Sequence, residues 1–154
     1  MRVFGDFKTT VRRALTEIDP NWESYRGLVV CGSHTPYDVE DAIEAIALAR
    51  KDGTPALLIC YGHQLGAIEY ARNVLGIKDA TSEEFGHGTF VVKKRDVMKV
   101  GLHGGESYWS NYKVAIEFDT PPHFVSVPYH PEYQSSKKTP HTMLVRFLSL
   151  CSAV

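Results

Sequence analysis

Leu57-Leu58-Ile59-Cys60-Tyr61-Gly62-His63-Gln64-Leu65-Gly66, written LLICYGHQLG, joins a continuous apolar run to a glycine-punctuated helical pattern, with a cysteine at the junction. A short apolar run bounded by Pro55 on one side and a helix on the other predicts a strand buried on both faces, of the kind a parallel sheet requires. Two readings of Cys60 compete. Inside the run it is a small hydrophobe; at the strand-to-helix corner its sulfur is lifted toward a helix N-terminus, where a thiolate is favoured.

The same alternation continues upstream. Arg2 to Phe4 reads as an opening strand and Thr9 to Ile18 as a helix. Leu28 to Cys31 is a β-branched run ending at Gly32, followed from Asp38 to Arg50 by a period that puts Val39, Ile43, Ile46 and Ala47 on one face. Gly53-Thr54-Pro55 stops that helix, Ala56 to Ile59 is the next strand, and Gly62 to Leu75 is the next helix, closed by Gly76. Strands alternating with helices predict an open, mostly parallel sheet of flavodoxin-like α/β type, with right-handed crossovers and helices on both faces. Downstream, Thr89 to Lys93, Met98 to Leu102, Val114 to Phe118 and Phe124 to Val127 read as strands, some expected to pair antiparallel at one edge of the sheet. Thr142 to Leu150 reads as the last helix.

The 154 residues suit one domain, 1–154, with a core large enough to need no staples. Seventeen Lys and Arg against eighteen Asp and Glu, dispersed along the chain, exclude a basic nucleic-acid surface or a membrane-binding stripe. With no signal-like start and no apolar run of spanning length, the expected location is cytoplasmic. Cys31, Cys60 and Cys151 are odd in number and lack a CxxC pair, which argues against a disulfide framework and a structural zinc site. The histidines lack a helical i, i+4 pair, so no metal is expected, nor any organic cofactor.

In a parallel sheet, ligands bind beyond the carboxyl ends of the strands. Cys60, Gly32 and the segment Val127-Pro128-Tyr129-His130-Pro131-Glu132-Tyr133 all fall at such ends. A nucleophilic thiol needs a base, and His130 can serve; Glu132, two residues on in a segment expected to be extended, can hold the imidazole. The N–H of Tyr61 and one near Gly32 or Ser33 would form an oxyanion hole, so the residues predict acyl transfer through a thioester.

These residues carry a resemblance. The run from Leu57 to Gly76, the segment Thr81-Ser82-Glu83-Glu84-Phe85, and FVSVPYHPEY from Phe124 to Tyr133 with the tail to Phe147 resemble the class I (triad) glutamine amidotransferases, in particular the glutaminase domains of CTP synthases, over about Phe4 to Phe147. The resemblance implies that Cys60 attacks the glutamine side-chain amide, that His130 and Glu132 complete the triad, and that Gln64 and Glu84 line the substrate pocket, Glu84 meeting the ammonium. Ammonia would pass to a synthetase. The chain holds no G-x-x-x-x-G-K-[ST] loop, so a separate ammonia-accepting synthetase is the expected partner, with glutamine or a related small amide as substrate.

Three departures from the family pattern stand out. Leu58 occupies the position of a glycine two before the nucleophile, Cys31-Gly32-Ser33 replaces a Pro-Gly-Gly entry, and the stretch around Tyr108 to Lys113 lacks the family's carboxylate-holding arginine, leaving Lys113 or a main-chain contact as its substitute. Two alternatives therefore remain beside glutamine hydrolysis: hydrolysis of another small amide, and a catalytically silent relative that binds a partner or ligand. A strained backbone at Cys60 separates the last from the others. His34 and His63 are expected on loops facing the site, and Cys31 close enough to Cys60 to oxidise with it.

Overall fold

In a computed structural model that describes residues 1–35 and 38–154, four parallel strands lie in the order β1-β2-β3-β7: β1 (Arg2–Phe4), β2 (Leu28–Val30), β3 (Ala56–Ile59) and β7 (Phe124–Val127). Each of the three pairings is parallel, with Leu58 opposite both Val30 and Ser126. Strand alternation divides the core in two. Leu28, Val30, Ala56, Leu58 and Phe124 pack against α2 (Val39–Asp52) and α3 (Tyr61–Asn73). Val29, Cys31, Leu57, Ile59, Val125 and Val127 pack against α1 (Lys8–Ile18) and α4 (Thr142–Ser152). Helices thus cover both faces, as the continuous apolar runs require.

On α2 the buried stripe is Ala42, Ile43, Ala45, Ile46 and Ala49, with Val39 and Ala47 at its margins. Gly53 and Gly76, with φ of +76° each, follow α2 and α3 in the left-handed conformation that only glycine adopts without cost.

The second half departs from the sequence-based expectation. The runs at 89–93 and 98–102 belong to one strand, β5 (Thr89–His103), broken by a register shift between Lys94 and Lys99. It returns as β6 (Glu106–Val114) through Gly104-Gly105, whose φ values of +61° and +82° suit the two-residue turn of a hairpin. The strand expected at 114–118 is therefore displaced toward the N-terminus, because the glycine pair rather than the apolar run sets where the chain reverses. A short strand missed in the sequence, β4 (Ala80–Ser82), pairs parallel with β5. The antiparallel pair exists, in a three-stranded sheet β4-β5-β6 of its own rather than along the edge of the parallel one. Among the described residues no helix is long and apolar enough to cross a membrane.

Candidate active site

Cys60 follows β3 and caps α3 with φ +50° and ψ −97°, outside the regions open to an ordinary residue. Such a conformation costs on the order of 1–3 kcal/mol and persists only where the surroundings over-determine it. Here the Cys60 N–H donates to the Val127 carbonyl (2.9 Å), and the Cys60 carbonyl accepts from the Gln64 N–H (3.0 Å). Two glycines make the corner possible. A Cβ on Gly62 would stand 2.2 Å from the Val30 carbonyl oxygen, so α3 can approach β2 only with glycine there. A Cβ on Gly66 would stand 2.9 Å from Leu58 Cδ1. The bulk of Leu58 is thus accepted across the sheet–helix interface, and the leucine coexists with the strained corner.

His130 and Glu132 follow β7 and are fully buried. The segment is not extended, as the sequence suggested. Pro131 opens a single 3-10 turn (Pro131–Gln134), because its fixed φ suits the first position of a helical turn, and the turn brings Glu132 Oε1 to 2.6 Å from His130 Nδ1. The His130 N–H donates to the Ser107 carbonyl of β6 (2.7 Å), and Arg13 Nη2 donates to the Glu132 carbonyl (3.3 Å). The ring sits among Phe7, Tyr133 and Gly32, at centroid distances of 5.9 Å and 5.2 Å to the two aromatics. A Cβ on Gly32 would fall 2.6 Å from His130 Cε1, so this glycine is the clearance for the imidazole. Nε2 has no hydrogen-bond partner among the described residues. Burial opposes protonation of this ring, but the Cys60 sulfur and the Glu132 carboxylate outweigh it and push the His130 pKa up to about 10.

The Cys60 sulfur lies on the wall of a cavity of about 100 Å³, and its S–H points to the Trp109 carbonyl of β6 at 3.6 Å. Tyr61, Gln64 and Glu84 line the same cavity, as do Ser33 and His34. Gln64 is buried on α3, and Glu84 follows β4, its N–H donating to Ser82 Oγ (3.1 Å); half-burial raises the Glu84 pKa. Gly32 stands behind the wall, against the imidazole, its carbonyl accepting from the Asp6 and Phe7 N–H groups (3.1 Å each).

Other expectations are corrected. His63 is on helix α3, not a loop; its Nδ1 meets Ser126 Oγ (2.8 Å), and burial pushes its pKa down to about 4. It lines a separate cavity of about 750 Å³ with Arg95, Lys113 and Phe118, so Lys113 does not reach the cavity at Cys60. Cys31 is fully buried in the same apolar cluster as Cys60, and burial pushes its thiol up to about 12. The hairpin supplied what the sequence did not reveal, the Ser107 and Trp109 carbonyls, which carry no side-chain signature, and Met98 on the wall; Ser110, Asn111 and Tyr112, from the stretch that the resemblance set against the substrate, line the same wall. Among the described residues no cluster of three His, Cys, Asp or Glu side chains could hold a metal ion.

The model of the glutamine amidotransferase class-I family matches residues 3–114. The CTP synthase of Bdellovibrio bacteriovorus is 29% identical over 90% of this chain and 36% of its own length. That of Methanoculleus marisnigri is 27% identical over 98% of this chain and 40% of its own. The chain thus spans about two fifths of the curated relatives it matches. Among solved structures, the glutaminase domain of Trypanosoma brucei CTPS with bound acivicin superposes with a TM-score of 0.75 at 16% identity, over 99% of this chain and 94% of that one. The chain belongs to the class I glutamine amidotransferase family.

Proposed function

We propose that this class I glutamine amidotransferase releases ammonia from a carboxamide, that of glutamine, through a Cys60-His130-Glu132 triad. The observation that carries the reading is the strained Cys60 corner together with a buried His130–Glu132 pair whose imidazole pKa Cys60 itself raises. A relative kept only for binding would have no use for that strain, so the corner favours a hydrolase over a silent relative.

In this mechanism the thiol hydrogen turns from the Trp109 carbonyl to His130 Nε2, and Sγ attacks the amide carbon. The negative charge on oxygen is met by the Tyr61 N–H at the start of α3 and an N–H of the Gly32-Ser33 loop. Collapse breaks the C–N bond as His130 passes its proton to the departing nitrogen, giving ammonia and a Cys60 thioester. Water, deprotonated by His130, then frees the acid and restores the thiol. Glu132 fixes the tautomer with Nδ1–H and stabilises the imidazolium. Glu84 meets the substrate ammonium and Gln64 its polar stem. The acceptor of the ammonia is sought in a synthetase site outside these residues.

The test is labelling by a glutamine-mimicking diazo-ketone amino acid, read by intact mass and peptide mapping. Stoichiometric modification at Cys60, slowed by excess glutamine and absent in Cys60→Ala, is expected. Modification at Cys31 or Cys151 instead, or none while Cys60 still reacts with iodoacetamide, would contradict it.

A further inference from the structure

The β5–β6 hairpin has one edge fastened and one edge open. On β6 the Trp109 carbonyl meets Cys60 Sγ and the Ser107 carbonyl accepts from the His130 N–H, so the main-chain groups of these two residues turn away from β5. Their register partners are Val100 and Leu102. Facing residues of that kind exchange no hydrogen bonds in an antiparallel ladder, so the N–H and C=O groups of Val100 and Leu102, with those of Met98 one step back, point to the outer edge of β5. β4 covers that edge only from Thr89 to Val92. Among the described residues no other strand pairs with it from Met98 to Leu102. His103 Nε2 lies 3.0 Å from the Val100 carbonyl, which keeps a second lone pair to offer.

The open edge is also apolar. Met98, Val100 and Leu102 are exposed and share a face with Trp109, itself exposed and opposite Val100. Strand edges are usually blunted by charge or proline. Here residues 98–102 hold one charge, Lys99, whose Nζ rests 4.2 Å from the centroid of the Tyr108 ring on its own hairpin. Lys93, Lys94, Arg95 and Asp96 precede this stretch, on the far side of the register break or within it.

We propose that a second copy of this chain pairs with this edge, β5 against β5, antiparallel about a twofold axis at Val100. The strand is its own complement in that register. Val100 faces the partner's Val100, Met98 faces the partner's Leu102, and the outward N–H and C=O groups of each strand meet those of the other. Lys99 falls opposite the partner's Gly101, so no like charges stand directly opposite. The two faces of Met98, Val100, Leu102 and Trp109 join into one apolar stripe. Met98 and Trp109 also wall the Cys60 cavity, which puts the second copy at its rim. Four apolar side chains and one short edge from each copy make a contact at the small end of protein interfaces, below about 1,200 Å², so a dissociation constant on the order of 10 μM is expected.

The test is sedimentation velocity of the native chain at concentrations that bracket this constant, about 1 to 200 μM. The mass is expected to rise from one chain to two and to stop there. Val100→Lys sets two ammonium groups face to face on the axis, so it is expected to stay at one chain throughout, with the thermal unfolding of the dilute native protein. Val100→Cys is expected to link two chains through position 100 under mild oxidation, since facing residues of such a pair have Cα atoms about 5.5 Å apart, within disulfide reach. Lys94→Cys, beyond the register break, is expected not to link. A single chain at every concentration would overturn the proposal and leave the edge to a different protein. A dimer that Val100→Lys leaves intact, association that runs on past two chains, or linkage at position 94 as readily as at 100 would overturn the pairing as well.

Discussion

The parallel sheet and the β5–β6 hairpin make opposite contributions to one site. Leu28 to Val30, Ala56 to Ile59 and most of Phe124 to Val127 are buried, and the two helical layers leave the corner at Cys60 no other shape. The hairpin is the reverse: Val97, Val100 and Leu102 are 80%, 53% and 69% exposed, yet its Trp109 and Ser107 carbonyls reach Cys60 Sγ and the His130 backbone N–H. Cys60 and His130 follow strands that helices cover on both faces, and the hairpin that shapes the cavity is anchored in the core at its base, by Val91 and Val92, with Tyr112 and Val114 packed against them.

Breaking the rigid side should cost most. Gly62→Ala forces a methyl against the Val30 carbonyl, a backbone atom that cannot swing away, and a loss of about 3 kcal/mol is expected in urea unfolding. Gly32→Ala crowds the imidazole rather than the core. We expect a loss of about 2 kcal/mol or less in stability but a fall of roughly a hundredfold in Cys60-dependent turnover, as a displaced catalytic group produces. A decline in activity no larger than the decline in folded fraction would refute this role.

Strain at the corner gives a subtler test. At ordinary sites alanine is better tolerated than glycine, but at φ +50° the order should invert, with Cys60→Gly more stable than Cys60→Ala by about 1 kcal/mol. A normal order in thermal unfolding would mean that Cys60 is not strained in solution.

The pH dependence follows from His130. Its pKa rises on folding from 6.5 to about 10, so its contribution to stability is fully present below pH 6.5 and is lost as pH climbs through about 10. Because Cys60 and Glu132 raise it, Cys60→Ala and Glu132→Gln should each lower the titration midpoint of the His130 ring seen by NMR. An unmoved midpoint in both would remove the coupling.

The hairpin side yields the smallest effects. Gln134 Oε1 accepts from the Ser107 N–H (2.9 Å) and its Nε2 donates to the Gly105 carbonyl (2.7 Å), tying the tip to the turn that carries Glu132. Gln134→Ala should cost about 1 kcal/mol and shift the His130 resonances, whereas Leu102→Ser, on the exposed hairpin, should stay within about 0.5 kcal/mol. Equal effects would erase the contrast between clamp and ribbon.

The two halves also differ in legibility. The run into Cys60 could be read because burial on both faces leaves a continuous apolar string, and β3 and β7 occupy the residues so inferred. In the hairpin the runs at 89–93 and 98–102 could be read, but not their union in one strand nor the return strand, since half-exposed strands interleave Lys, Ser and aromatics without a clean period and the decisive signal was the Gly104-Gly105 pair. Cys60, His130 and Glu132 stood out by residue type and placement. The main-chain acceptors at Ser107 and Trp109 could not, because any residue supplies a carbonyl.

The most direct measurement is rapid-quench mass spectrometry of the chain mixed with glutamine. A transient acyl adduct on the Cys60 peptide, formed and lost in step with ammonia release and absent in Cys60→Ala, is what the account predicts. Ammonia release without any adduct at Cys60, or equal release by Cys60→Ala, would contradict it.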